Sequence, residues 1–400
     1  MVPGPQDSGA IVSGQVGEIP HKWLEVIVHF LMGFRNDTVD FSRPHLRPSV
    51  ATVYPLFVFL YALLVTAGTV ANLAMIASIV KDKLYRDQTY CYLINMAVAN
   101  IVECLLVLPV SLMILLVQNW VFGSFLCYFL PMLQDIPLHV STLTVLLIAW
   151  DRLRFLEDPM KPRIPAFVCA TGSWLMAICI VLPYPIYTTY LDLGKYIGQF
   201  QGVGICAINL QDDMQEYMRG LFLAMYVLPL AVTAYLYIRM SRKLQTEEGP
   251  MPVMMFEGVR PRVSGGSHDF RGEDGQFRPH VPNRHETYEV ELDMRKEKRT
   301  HKYLGTIATV FGICLCPLMV LRVAKLALTE TYENSGHFDI TYTMFVWLAF
   351  LPTTTTPALY ASWRMSRSTK ERLRGYLRLS SRRRRPEAAV GYTAQESGNS

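Results

Sequence analysis

A chain of 400 residues that is 51% hydrophobic and only 18% charged falls below the ~25% charged residues of an average soluble domain. Its apolar residues gather in blocks of about 20 or more, the length of a helix that crosses a bilayer; this excludes a soluble fold and makes the chain an all-α polytopic membrane protein, its backbone satisfied inside helices. The net charge of +5 sits mainly in short basic clusters beside those blocks, so it speaks for membrane topology and not for nucleic acid.

Residues 1–50 read as an extracellular N-terminal tail. No basic start, short apolar core and cleavage site precede the first block, so that block is expected to direct insertion itself. Asn36-Asp37-Thr38 is the only glycosylation sequon, and it fits an outward-facing tail. The stretch 23–34 is apolar but short, and Glu25 and His29 interrupt it. It suits an interfacial or loop-packing helix, not a span.

Seven blocks follow within 51–363, at about 52–80, 89–117, 124–155, 164–187, 217–240, 302–326 and 340–363. Each holds proline or glycine, as membrane helices tolerate. Lys81, Lys83 and Arg86 follow the first block; Arg152, Arg154, Lys161 and Arg163 mark the end of the third. Arg239, Arg242 and Lys243 close the fifth, Arg295 to Arg299 precede the sixth, and Arg364 and Arg367 follow the seventh. The alternate loops lack this bias. By the positive-inside rule the N-terminus is outside and the C-terminus cytoplasmic. The stretch 246–291 is rich in Gly, Pro and charge without apolar period, which predicts a disordered third cytoplasmic loop. Residues 364–379 mix apolar side chains with many arginines and predict an amphipathic eighth helix on the inner leaflet. The end, 380–400, reads as a disordered cytoplasmic tail.

Six of the eight cysteines fall in or beside apolar blocks and read as small buried hydrophobes. Cys127 and Cys206 fall at exits on one side; if that side is extracellular they can pair. Two charged features are costly in lipid. Asp151-Arg152 ends the third block, and Glu103 interrupts the second. An acid at that depth is a functional site or half of a buried pair, and His139 is a candidate partner.

The residue pattern resembles the rhodopsin-like (class A) G-protein-coupled receptor family over about 52–380. Gly68 and Asn72 stand as its first-helix pair, and Trp120-x-Phe122-Gly123 precedes Cys127. Arg152 lies 25 residues on (152 − 127 = 25), Trp174 precedes Pro183 in the fourth helix, and Pro229 precedes Tyr237 in the fifth. Phe311, Cys314 and Pro317 mark the sixth, and Pro357-x-x-Tyr360 the seventh. Four positions depart: Asn100 replaces the sodium-binding aspartate, Leu315 the tryptophan before the sixth-helix proline, Thr356 an asparagine, and Leu153 a tyrosine.

The resemblance implies a seven-transmembrane helix bundle and assigns roles to residues. Cys127 and Cys206 would form a disulfide that ties a hairpin over the pocket. Asp151 would hold Arg152 locally, while Glu297 pairs with it in the closed state. Tyr237 and Tyr360 would bond Arg152 or water once helix six moves, with Pro317 and Pro357 among the hinges. Asn72, Asn100, Ser141 and Thr356 form the polar centre, where an Asn in place of the carboxylate binds sodium poorly. An amine receptor carries an aspartate where this chain has Gln134; Asp135, about 100° round the helix, points elsewhere. Gln134, Glu103, Tyr226, Arg322, Lys325, Trp347 and Phe350 are the candidate ligand pocket. The expected partners are an extracellular peptide, a heterotrimeric G protein, arrestin and membrane lipid. No metal-ligand spacing, phosphate-binding loop or nucleophile elbow is present, so neither a cofactor nor an enzyme is expected. The leading reading is a plasma-membrane receptor for a neuropeptide; the alternative is an atypical or non-signalling seven-helix scaffold.

Overall fold

The computed structural model describes residues 23–24, 26–28, 43–158, 162–195, 200, 203–208, 214–246, 284–327 and 335–365, the side chains of 208, 215, 284–293, 325–327 and 335–337 excepted. Among them, six helices are long and apolar enough to cross a membrane. These are α1 (Tyr54–Lys81), α2 (Gln88–Leu116), α3 (Gly123–Glu157), α4 (Ala166–Tyr187), α5 (Glu216–Thr246) and α6 (Arg284–Ala327). The seventh crossing, α7, comes in two pieces, Ser335–Ala349 and Pro352–Arg364. Together they form a seven-helix bundle. Leu56, Phe59, Val70, Phe167 and Ile313 are more than half exposed on its outside, as a surface facing lipid requires. Asn36, the segment 366–379 of the expected amphipathic helix and residues 247–283 of the expected third cytoplasmic loop lie outside the described residues.

Prolines explain the irregular turns. Pro109 follows a π-turn at Glu103–Val107, and Pro229 follows one at Leu223–Val227. A proline removes one N–H and crowds the carbonyl four residues back; the wider turn relieves both. In α7, Pro352 cannot donate to the Leu348 carbonyl, which instead accepts from the Leu351 N–H at 3.2 Å. That local tightening splits the seventh crossing. At the start of α3, Gly123 sits at φ +74°, a conformation other residues adopt at a cost.

One boundary differs from the sequence reading. α6 begins at Arg284, inside the stretch 246–291 assigned to a disordered loop. The segment 284–299 is rich in Glu, Arg and Lys, all strong helix formers, and Glu291 precedes Arg295 at the favourable i,i+4 spacing. Its charge content keeps it out of the membrane but is compatible with an exposed helix.

Polar cross-links hold the bundle centre. Asn72 Nδ2 donates to the Gly68 carbonyl at 2.8 Å and the Thr353 carbonyl at 2.7 Å, and Asn100 Nδ2 donates to Asn72 Oδ1 at 3.0 Å. Thus α1, α2 and α7 meet at one asparagine. Gly68 permits that approach, since a Cβ there would stand 2.5 Å from Cys104 Sγ and 3.2 Å from Thr353 Oγ1. On the other side, Trp174 Nε1 donates to Asn95 Oδ1 at 2.9 Å and Asn95 Nδ2 to Thr144 Oγ1 at 2.8 Å, which joins α4, α2 and α3.

One end of the bundle carries an antiparallel hairpin, β1 (Thr188–Asp192) and β2 (Gly204–Ile208), with Tyr190 opposite Cys206. Cys206 is disulfide-bonded to Cys127 of α3. Residues 23–24 and 26–28 are helical, and Ile27 packs on Leu191, Leu193, Val203 and Ile205; the tail segment covers the hairpin and does not span. Farther along, the tail is strapped to α2 and α7. Arg47 N–H donates to the Leu116 carbonyl at 2.8 Å, while Arg47 Nη1 and Ser49 Oγ both reach the Asp339 carboxylate at 2.6 Å.

Candidate functional site

At the disulfide end a cavity of about 280 Å³ lies between α2, α3, the hairpin and the tail. Gln134, Leu130 and Pro131 of α3, Ile114 of α2, Arg47 and the Cys127–Cys206 bridge line it. Gln134 Nε2 donates to Ser111 Oγ at 2.7 Å. Of the seven residues expected in a ligand pocket, Gln134 alone lines this space.

The others are placed differently. Arg322 Nη1 pairs with Asp135 Oδ1 at 2.8 Å, and the Tyr184 hydroxyl donates to Asp135 Oδ2. Asp135 is therefore a buried link from α3 to α4 and α6, and Arg322 is neither snorkelling nor held open for a ligand. Glu103 is buried in the π-turn of α2, and its Oε1 has no hydrogen-bond partner among the described residues. Both His139 ring nitrogens lack a partner among the described residues as well, so the expected Glu103–His139 pair is not formed. Tyr226 donates to the Gly312 carbonyl at 3.0 Å and Trp347 Nε1 to the Leu60 carbonyl at 3.2 Å. Phe350 is buried in the main core. The side chain of Lys325 lies outside the described residues.

The opposite end is built around Arg152. Its Nη2 stands 2.9 Å from Asp87 Oδ2 and its Nη1 3.7 Å from Glu297 Oε2, so one guanidinium spans α2 and α6. A charge-assisted pair gains most where water is thin, and the Arg152 side chain is only 10% exposed. Asp87 earns its place twice, because its Oδ1 also accepts the Thr89 N–H at 3.1 Å and caps α2. Asp151 does not hold Arg152 by a salt bridge; its ion pair is with Arg163 at 3.7 Å. Arg163 in turn covers the Phe155 ring at 4.9 Å. Neighbouring side chains on consecutive helical positions point about 100° apart, which is why adjacent Asp and Arg find separate partners.

Tyr237 leans on the His301 ring, centroids 5.4 Å apart, and the Tyr360 hydroxyl is buried with no partner among the described residues. Neither tyrosine bonds Arg152 in this arrangement. Pro317 lies inside α6 and Pro357 inside the second piece of α7. In the centre Ser141 and Thr356 are both buried, and Ser141 Oγ is unpartnered among the described residues. No group of three His, Cys, Asp or Glu among the described residues is arranged to hold a metal ion.

Sequence reasoning passed over Asp87, Arg163, Arg47 and Tyr184. Asp87 carried a usable signal: an acid two residues before Thr89, at the entry to a helix, is a capping pattern. Asp135 carried another, since a second ionisable residue deep in a span asks for a partner as much as Glu103 does.

The fold and the Arg152 site together define a class. Residues 71–360 match the family of 7 transmembrane receptors (rhodopsin family); the match covers well over half of the chain, which belongs to that family. It is a multi-pass plasma-membrane signalling receptor and not an enzyme. Among characterised proteins it is similar to neuropeptide Y receptor type 2. It is 25% identical to the Sus scrofa and the Macaca mulatta receptors over 337 residues, which is 82% of this chain and 78% of each relative. With the Gallus gallus receptor the identity is 31% over 219 residues, 52% of this chain and 56% of that one.

Proposed function

We propose that this receptor binds an extracellular neuropeptide at the disulfide end and activates a heterotrimeric G protein at the Arg152 end. The observation that carries the reading is the Arg152 bridge to both Asp87 and Glu297. Among the ties between α6 and the rest of the bundle, it is an ion pair that is loose on the α6 side, as a two-state switch needs. Binding of a ligand that prefers the open arrangement shifts the equilibrium and frees Arg152 for the G-protein tail. Tyr237, which lines the same small cavity as Arg152 and Glu297, and Tyr360 take up Arg152 afterwards. Arrestin competes for the same face.

Lys81, Lys83, Arg86 and Arg364 all lie toward the Arg152 end, which supports placing it in the cytoplasm. The peptide reading draws on the named ligand class of the similar receptors and on a cavity that opens beside the hairpin and offers Gln134 and Arg47. Peptide groups need donors and acceptors of this kind, and an amine would need a carboxylate, which the described lining of this cavity does not contain. Asp135 is already committed to Arg322.

The test is a peptide-library screen in cells that express a promiscuous G-protein reporter, with Arg152→Ala as control at equal surface expression. A peptide that signals through the unaltered receptor and not through Arg152→Ala is the expected result. A response that survives Arg152→Ala contradicts the coupling assignment.

A further inference from the structure

We propose that the seam between α5 and α6 is a binding site for an anionic phospholipid of the surrounding leaflet. The proposal needs only that the chain lies in a membrane, and it stands apart from the ligand and G-protein assignments.

A groove of about 630 Å³ runs along the outer side of this seam, from His301 and Lys302 to Cys316 on α6. Fourteen residues of helix (316 − 302 = 14) extend about 21 Å, comparable with an acyl chain and its glycerol. Two contacts fix the width. Tyr226 of α5 donates to the Gly312 carbonyl at 3.0 Å, and Tyr237 of α5 meets His301 at the other end. Between them the walls are short or apolar, with Ala234, Leu230 and Gly305 among the lining residues. Gly305 adds no bulk: a Cβ there would already stand 3.5 Å from the Tyr237 ring.

Polar atoms in the groove point to an occupant. Thr306 and Thr309 satisfy their hydroxyls on the carbonyls four residues back, at 2.8 Å each. Thr233 Oγ1, buried in the same groove, has no partner among the described residues, and neither does His301 Nδ1. An unmet hydroxyl in the hydrocarbon region, where no water can satisfy it, is costly. An ester carbonyl would accept from Thr233. The exposed ammonium of Lys302, at the end of the groove nearest Arg152, is placed for the phosphate, and a lysine near the membrane surface favours an anionic headgroup. A sterol would fill the apolar length but give Lys302 nothing to pair with.

The experiment is native mass spectrometry of the full-length receptor, purified in mild detergent and offered phosphatidylglycerol, phosphatidylcholine and cholesterol in equal amounts. The receptor is expected to retain phosphatidylglycerol about fivefold over phosphatidylcholine, the factor one lysine near the membrane surface supplies. Lys302→Gln should erase that preference and Lys302→Arg should keep it. Ala234→Trp, which fills the groove, should lose both phospholipids. The lysine variants alter an exposed side chain and are expected to fold, so they decide the matter even if Ala234→Trp does not. Equal retention of the two phospholipids, a preference that survives Lys302→Gln, or retention of cholesterol alone would each overturn the proposal.

Discussion

Helix three carries two buried acids, and the molecule treats them in opposite ways. Asp135, toward the disulfide end, is buried, held at 2.8 Å by Arg322 and bonded by Tyr184. Asp151, about 24 Å along the helix by a rise of 1.5 Å per residue, has a looser partner in Arg163 at 3.7 Å. Its neighbour Arg152 is divided between Asp87 at 2.9 Å and Glu297 at 3.7 Å. Both ends thus link α3 to α6 through an arginine and a carboxylate. The first link has a dry carboxylate, a short contact and two partners, where Asp87 and Glu297 are partly exposed; that suits a fixed joint. The second is shared and longer on the α6 side, which suits a joint that opens. Geometry, and not the mere presence of a charge pair, separates the two roles.

The largest expected effect comes from unbalancing the dry joint. Arg322→Leu leaves the Asp135 carboxylate buried without its cation, a loss on the order of 3–5 kcal/mol for a broken buried pair. Thermal unfolding of the purified receptor should show a large fall, and Asp135→Leu combined with Arg322→Leu should regain much of it. Additive losses in the double variant would mean that the two residues do not act as a pair.

Next is the close approach at the bundle centre. Gly68→Ala places a Cβ 2.5 Å from Cys104 Sγ, and overpacking of this kind costs typically about 1–3 kcal/mol. Cys104→Ala removes the offending sulfur, so the combination should be more stable than Gly68→Ala alone. The unfolding temperature of the three variants reads this directly; a Gly68→Ala protein as stable as the parent would show that α1 and α2 have room to part.

Asp87→Ala strikes the open joint and a helix cap together. Loss of a capping side chain costs about 1 kcal/mol, and Arg152 keeps only its longer contact. A modest drop in stability with raised agonist-independent signalling is expected; Asp87→Asn, which keeps the cap and removes the charge, should raise signalling with less loss of stability. If Asp87→Asn signals like the parent, the contact with Arg152 plays no part in holding the receptor closed.

The smallest effect in stability belongs to Gln134→Ala. It removes one hydrogen bond to Ser111 at the edge of a cavity and should shift the agonist dose–response to higher concentration while the unfolding temperature stays near that of the parent. An unshifted dose–response would take Gln134 out of the ligand site.

The seven crossings were legible because length, apolar content and the order of prolines and cysteines are properties of single segments. The Cys127–Cys206 bridge and the hairpin it anchors were expected from the family resemblance, not from any single segment. Partner choice was not legible. Glu103 and His139 read as a candidate buried pair, yet it is Asp135, expected only to point away from the pocket, that meets a cation, because rotation about the helix decides which face each side chain enters. Arg322 read as a ligand contact since nothing in its own segment announces Asp135, nearly two hundred residues earlier. The π-turns before Pro109 and Pro229 and the split of α7 at Pro352 are readable in retrospect, since each follows from the missing proline N–H. The helical start of α6 at Arg284 was hidden by a composition that serves equally for an exposed helix and for a loop.

In the proposed switch the Glu297–Arg152 contact holds α6 in the closed arrangement. The most direct measurement is agonist-independent second-messenger output from Glu297→Ala and the parent receptor at matched surface expression. The account predicts a higher basal level in Glu297→Ala that is lost again when Arg152→Ala is added. Equal basal output in Glu297→Ala and the parent would contradict it.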